Sequence, residues 1–261
     1  MSVPVILSMQ QEMPMWLCLP VSRHGKGKSR PTSRKPGTLM FEVDGVEDER
    51  YQKRPENPVK AYRLPEKGCY KINHYHVYNI DVTNSESMSQ AHKEARRQVL
   101  DAFLILKDRT PGFEKARISQ VAPVLGIRES RHVRGEYCLT ATDLSEGKKF
   151  EDRIAAYAFG MDVHSRNTKE KGNFKIPTAN VYYVPYRSLI PLGCRNLLIA
   201  GKTISCESQA AGAIRVMPCA MAIGQAAGAA VAIACSQNGD VRQVPVNELQ
   251  TVLLNHNAIL D

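Results

Sequence analysis

Aromatic residues are scarce in this chain, at 7% with a single tryptophan. None lies between residues 22 and 36, where six basic side chains crowd together: Arg23, Lys26, Lys28, Arg30, Arg34 and Lys35. A basic run of this kind supplies non-specific phosphate affinity. Without rings to stack on bases it argues against a nucleic-acid-binding arm. Acidic residues are absent between Glu12 and Glu42. No pair among the seven cysteines has CxxC spacing, and the count is odd. That disfavours a zinc site, a dithiol redox pair and a secreted disulfide framework, and it suits a reducing, cytoplasmic compartment. No basic residue precedes the apolar stretch Val3 to Leu7, so a signal peptide is not expected.

Long apolar runs are also lacking, with one exception. Met217 to Cys235 is apolar apart from Gln225. Alanine and glycine dominate it and carry little transfer energy into lipid, so a buried helix is the expectation and a membrane span is not. Gly224 and Gly228 have the GxxxG spacing of closely packed helices. They are expected to let this helix sit tightly on a sheet.

What is present is ordinary for a globular protein: 261 residues, 43% hydrophobic and 23% charged, enough for one large domain or two modest ones. The net charge of +9 is concentrated in the basic run. Residues 1–36 are punctuated by Pro4, Pro14, Pro20, Pro31 and Pro36 and hold no lasting period. Such a segment buries too little apolar surface to offset chain entropy. From Thr38 the texture changes. Thr38 to Val43, Ile118 to Val124, Ala155 to Val163 and Val181 to Val184 read as strands, and Cys69 to Val82 as one or two more. Ala91, Ala95, Val99, Ala102, Phe103 and Leu106 recur at spacings of three and four, which predicts a helix over Ser85 to Lys107 capped by Ser85 or Ser87. Near the end, Asn196 to Ala200 is a short run typical of a strand buried on both faces. A helix follows from about Ala213 to Cys235, and another from Val246 to His256 capped by Asn247. The expected fold class is mixed α/β.

Several residues invite a functional reading. Arg128, Glu129 and Arg131 form a dense charged cluster, either an internal ion-pair network or an anion- or polyol-binding site, since guanidinium groups suit carboxylates. His164 ends a strand and is a candidate general base, with a plain surface or hydrogen-bonded histidine as the other reading. His74 and His76 alternate on an expected strand, but no third ligand stands near, so no metal site is assigned. Tyr186 and Arg187, just before the late strand, are candidates for lining a substrate pocket.

Three stretches together resemble a known family: Gly126 to Arg131 running on to Gly135–Tyr137; Val184 to Leu189; and Asn196–Gly201 followed by Gly212–Pro218 and Gly224–Gly228. They are similar to the C-terminal half of the FAD-dependent oxidoreductases whose fold is shared with the glutathione-reductase-like flavoproteins. The resemblance spans roughly 37–234. Residues 1–36 do not match the family and read as a disordered or atypical basic N-terminal segment; the resemblance implies a β-rich substrate domain over 37–190 and the closing strand and helix of a Rossmann-like FAD domain over 191–261. It implies FAD as cofactor and hydride transfer between a small polar substrate and flavin N5. It places cofactor contacts at Gly201, Lys202, Ser205, Gly212, Ala213, Arg215 and Val216, with Gly212 beside the amide-rich start of the alanine-lined helix. The sequence contains no GxGxxG; Gly25 and Gly27 precede basic coil. That departure leaves two further possibilities: a separate N-terminal FAD-binding half as partner, or a catalytically inactive truncated remnant serving as an interaction module.

Overall fold

The computed structural model describes residues 5–7, 18–19, 35–47, 50–51, 59–164 and 173–261. Most of the basic N-terminal segment, including Gly25 and Gly27, lies outside them. The fold is mixed α/β, and its contacts divide the chain into two compact units near residue 128.

The smaller unit holds a four-stranded antiparallel sheet and one helix. Its strands are β3 (Phe41–Asp44), β4 (Ala61–Arg63), β5 (Tyr70–Ile72) and β6 (Arg117–Val121), in the order β4-β5-β3-β6. Phe41 pairs with Ile72 on one side and Val121 on the other. Helix α1 (Ser85–Arg109) buries Ala91, Ala95, Val99, Ala102 and Leu106, the stripe its periodicity predicted, although Phe103 is only partly buried. Burying Val99 and Leu106 stabilises the unit by about 1.5–3 kcal/mol each. Its N-cap is Asn84 rather than either serine: Asn84 Oδ1 accepts the Ser87 N–H at 2.9 Å. The stretch after Ile72 is not a strand, so His74 and His76 do not share a strand face. His76 instead has its Nδ1 3.3 Å from Thr38 Oγ1, while the His74 ring lies 4.1 Å from that of Tyr75.

The larger unit is built from paired strands and four helices. Its strands include β1 (Val5–Leu7), β2 (Cys18–Leu19), β7 (His132–Val133), β8 (Arg153–Tyr157), β9 (Met161–His164), β10 (Asn173–Ile176), β11 (Tyr182–Pro185) and β12 (Leu197–Ile199). β1 runs parallel to β12; β2 with β7, β8 with β11, and β9 with β10 are antiparallel. The expected single strand over 155–163 is therefore two, broken before Met161. β12 has Leu198 and Ile199 fully buried, as its continuous apolar run implies.

Helix α2 (Ala141–Glu146) opens on a capping box. Thr140 Oγ1 accepts the Asp143 N–H at 3.1 Å, and the Asp143 carboxylate accepts the Thr140 N–H at 2.9 Å. The single helix expected over 213–235 is two: α3 (Ser208–Ile214) and α4 (Met217–Ser236). Pro218 is the reason. Its ring nitrogen cannot donate to the Ile214 carbonyl, and its ring clashes there, so one helix stops and another begins with proline in its first turn. α5 (Val246–Asn255) closes the chain, with Pro245 and not Asn247 at its cap.

α4 is long and apolar enough to cross a membrane by length and composition. Here it packs on β8, β12 and α5, burying Cys219, Ile223, Ala226, Ala227, Ala230, Ile233 and Ala234. Gly224 and Gly228 do not mediate that packing. Both are exposed, and a β-carbon on either would meet nothing within 4 Å. The close helix–strand approach is made at Gly212 instead.

Candidate functional site

Of the expected cofactor residues, Lys202, Arg215 and Val216 meet at the junction between α3 and α4. Gly201–Thr203 forms a 3-10 turn directly after β12, with Gly201 at φ 82°. That turn packs on α4 and carries Lys202 to the junction. Gly212 is not at a helix start. It lies inside α3, buried against β9, where a β-carbon would stand 2.9 Å from the Asp162 carbonyl oxygen. Ala213 is fully buried beside it. The neighbouring start of α4 is open: Val216 is the N-cap residue, no side chain caps it, and Met217 is 79% exposed. A helix beginning in this state presents free N–H groups and a partial positive charge.

Two cations stand at this point. Arg215, the last residue before the junction, is largely buried, and its Nη2 donates to Asp162 Oδ2 at 2.6 Å. Its buried Nε has no hydrogen-bond partner among the described residues. Burial lowers the Arg215 pKa, with Asp162 opposing that effect. Burial and then the Arg215 charge push the Lys202 ammonium down to about 8. A helix N-terminus, a lysine and an arginine thus meet at this junction, with Asp162 paired to Arg215 and the Glu129 charge also acting on it, and the helix start and the lysine suit an anionic ligand. Ser205 is buried, and its backbone serves the fold: its N–H donates to the Ser188 carbonyl and its own carbonyl accepts from Leu139.

The remaining candidates separate. Tyr186 is buried, its hydroxyl donating to the Val241 carbonyl at 2.8 Å. Arg187 grips Asp152 through Nε at 2.9 Å and Nη2 at 3.1 Å. Tyr186 directs its hydroxyl into the fold, whereas Arg187 is exposed and holds Asp152 at the surface. Arg128 belongs to the smaller unit and donates to the Pro36 carbonyl and to Thr38 Oγ1. Arg131 is half-buried in the larger unit, with no hydrogen bond or ion pair among the described residues. His164 ends β9, two residues past Asp162; its side chain lies outside the described residues. No group of three metal-ligating side chains occurs among the described residues.

One arrangement escaped the sequence reading. Glu129, His132 and Cys206 meet in the buried interior of the larger unit, with Ser208 at the start of α3 completing the set. Burial disfavours the His132 cation, but Cys206 and Glu129 outweigh it and raise its pKa to about 10. Glu129 and His132 are three apart, a spacing visible in the sequence. Cys206 is 74 residues further on, and nothing local links it to them.

The model of the FAD dependent oxidoreductase family matches residues 22–253, most of the chain. The protein is a member of that family. Among curated proteins and among solved structures, none gives a significant match. As a FAD-dependent oxidoreductase the protein uses FAD. The chemistry of the cationic junction between α3 and α4 fits the anionic parts of that cofactor: a buried Arg215 Nε with no hydrogen-bond partner among the described residues, a helix start without a side-chain cap and a lysine of lowered pKa.

Proposed function

We propose that the larger unit contributes the C-terminal part of a glutathione-reductase-like FAD domain, and that the protein transfers hydride between a small polar substrate and flavin N5. The observation that carries this reading is the open start of α4 flanked by Arg215 and Lys202, with Asp162 as the one carboxylate paired to Arg215. The residues that would hold FAD are Val216 and Met217 through their backbone, Arg215 and Lys202 through charge, and Gly201 by close backbone approach. Gly212 and Ala213 act behind them, fixing α3 on β9 so that Arg215 is aimed. When bound, FAD supplies the two-electron acceptor.

The chain's own residues supply the rest. Arg131 binds a carboxylate or polyol oxygen of the substrate. His164 takes the substrate hydroxyl proton at a ring nitrogen, which raises electron density at the carbon that loses hydride. Lys202, titrating near 8, holds or releases a proton close to neutral pH.

Titration of the purified chain with FAD, followed by quenching of flavin fluorescence, tests the cofactor site. Saturable quenching that weakens by about tenfold or more in Arg215→Gln is the expected result, since a charge-assisted hydrogen bond contributes about 1.5–3 kcal/mol. A chain that remains colourless at saturating FAD would overturn it.

A second reading is favoured by one sequence fact, the lack of GxGxxG. On that reading the chain is an interaction module, or it completes its site with a separate N-terminal half. The exposed face of α4, with Met217, Met221, Gly224 and Gly228, is the surface such a half would cover. Mixing with a separately expressed GxGxxG-bearing half separates the two: activity restored by mixing supports a split enzyme, and binding without activity supports the module.

A further inference from the structure

Helix α4 runs for 20 residues without one acidic or basic side chain. A helix that is apolar all round is ordinarily covered all round. Here only 39% of its most apolar stretch is buried. One face packs on β8, β12 and α5. The other carries Met217, Met221, Gly224, Gly228, Ala232 and Cys235, all exposed, at spacings of three and four. Met217 and Met221, at 79% and 73%, are the most exposed large apolar side chains among the described residues. Gln225 flanks this stripe.

The stripe is graded in size, and the gradient selects what fits it. Two long thioethers stand at its start, two glycines at its middle, alanine and cysteine at its end. About a two-fold axis opposite Ala226, an antiparallel second copy sets Gly224 against the partner's Gly228. At about 1.5 Å of rise per residue, Met217 and the partner's Cys235 both lie about 13.5 Å from that axis and face each other. Met221 falls between the partner's Gly228 and the partner's Ala232. Large side chains then meet small ones along the whole helix. A parallel pairing sets each methionine on its own counterpart and holds the alanine ends apart. Small residues four apart let two helix backbones approach closely, and no like charges oppose the approach.

We propose that the exposed face of α4 is a self-association surface, and that its occupant is the α4 of a second copy of this chain, antiparallel about Ala226. Each copy presents the same patch, as a two-fold interface requires. The stripe is about 30 Å long and about 10 Å wide, so the pair covers about 600 Å² in total. Standard interfaces cover about 1,200–2,000 Å², so this dimer is a reversible one, half-associated at about 10–100 μM. It requires no flavin and does not depend on the proposed cofactor site.

Sedimentation of the purified full chain, reduced and without FAD, tests this. The average mass should rise towards that of two chains across the stated concentrations. Gly228→Leu then separates association from folding, because a β-carbon there meets nothing within 4 Å in the single chain. It should raise the half-association concentration by about tenfold or more, while the thermal midpoint does not fall, leucine being the better helix former. The register has its own readout. Oxidised Met217→Cys should give a linked dimer in which the introduced thiol is joined to the partner's Cys235, mapped by mass spectrometry. The two native Cys235 thiols, exposed but about 27 Å apart, should not link. A chain that stays monomeric, a dimer that Gly228→Leu leaves intact, or a link between the two Cys235 thiols overturns the proposal. A monomer that associates only with a separately expressed GxGxxG-bearing half also overturns it, and assigns the face to that half.

Discussion

Gly212 and Asp162 are in backbone contact: a β-carbon at position 212 would lie 2.9 Å from the Asp162 carbonyl oxygen and 3.1 Å from its nitrogen. The same Asp162 holds Arg215 through its side chain at 2.6 Å. One residue of β9 thus fixes both where α3 sits and where the guanidinium at its end points.

Gly212→Ala should therefore be destabilising although alanine is the better helix former. The obstructing atoms are backbone and cannot rotate away. Overpacking of this kind costs about 1–3 kcal/mol, against about 1 kcal/mol regained in helix propensity. A net loss of up to about 2 kcal/mol is expected, read as a lower urea midpoint at unchanged slope. An unchanged midpoint would show that α3 does not press on β9.

Met217→Glu should act in opposite directions on stability and on cofactor binding. Met217 is 79% exposed in the uncapped first turn of α4. A carboxylate there favours the helix by about 0.3–1 kcal/mol. It also opposes any anion approaching the same turn, so FAD binding should weaken several-fold and the loss should shrink with added salt. Unaltered FAD affinity would mean that the cofactor lies elsewhere.

The stability difference between the wild type and Lys202→Met should depend on pH. The Lys202 pKa is lowered to about 8 in the folded state from an ordinary 10.5. Between these values the unfolded chain binds more protons at this position, so stability rises with pH. The wild type should gain on Lys202→Met from pH 8 to pH 10.5 and show no such trend below pH 7. Comparing the two proteins at each pH cancels the titration of every other group. A flat difference across that range would show the lysine to be solvated.

Thr140→Ala should cost about 1 kcal/mol by removing one arm of the α2 capping box. Thr140→Ser should restore most of it, since the hydroxyl remains. Thermal unfolding of the three proteins tests this; equal midpoints would sink it.

The legible parts of the fold were those written in local pattern. The stripe from Ala91 to Leu106 predicted α1, because an amphipathic period needs no knowledge of what covers it. The apolar run at 197–199 likewise predicted β12. Boundaries set by single residues were misread where two signals competed. Pro218 splits α3 from α4 where alanine-rich composition continues on both sides of Arg215, and that composition masked the break. Asn84 took the α1 cap ahead of two nearby serines. Gly224 and Gly228 looked like packing glycines from their spacing, yet they lie on the exposed face of α4.

The sequence by itself determined the mixed α/β character, the helix and strand identities of its periodic segments, and the family, since these rest on residue order along short stretches. Tertiary structure alone decided which side chains meet. Cys206 reached His132 across 74 residues, and Arg215 reached Asp162 across 53. Such pairs form only when the chain folds back on itself, and no interaction between near neighbours encodes them.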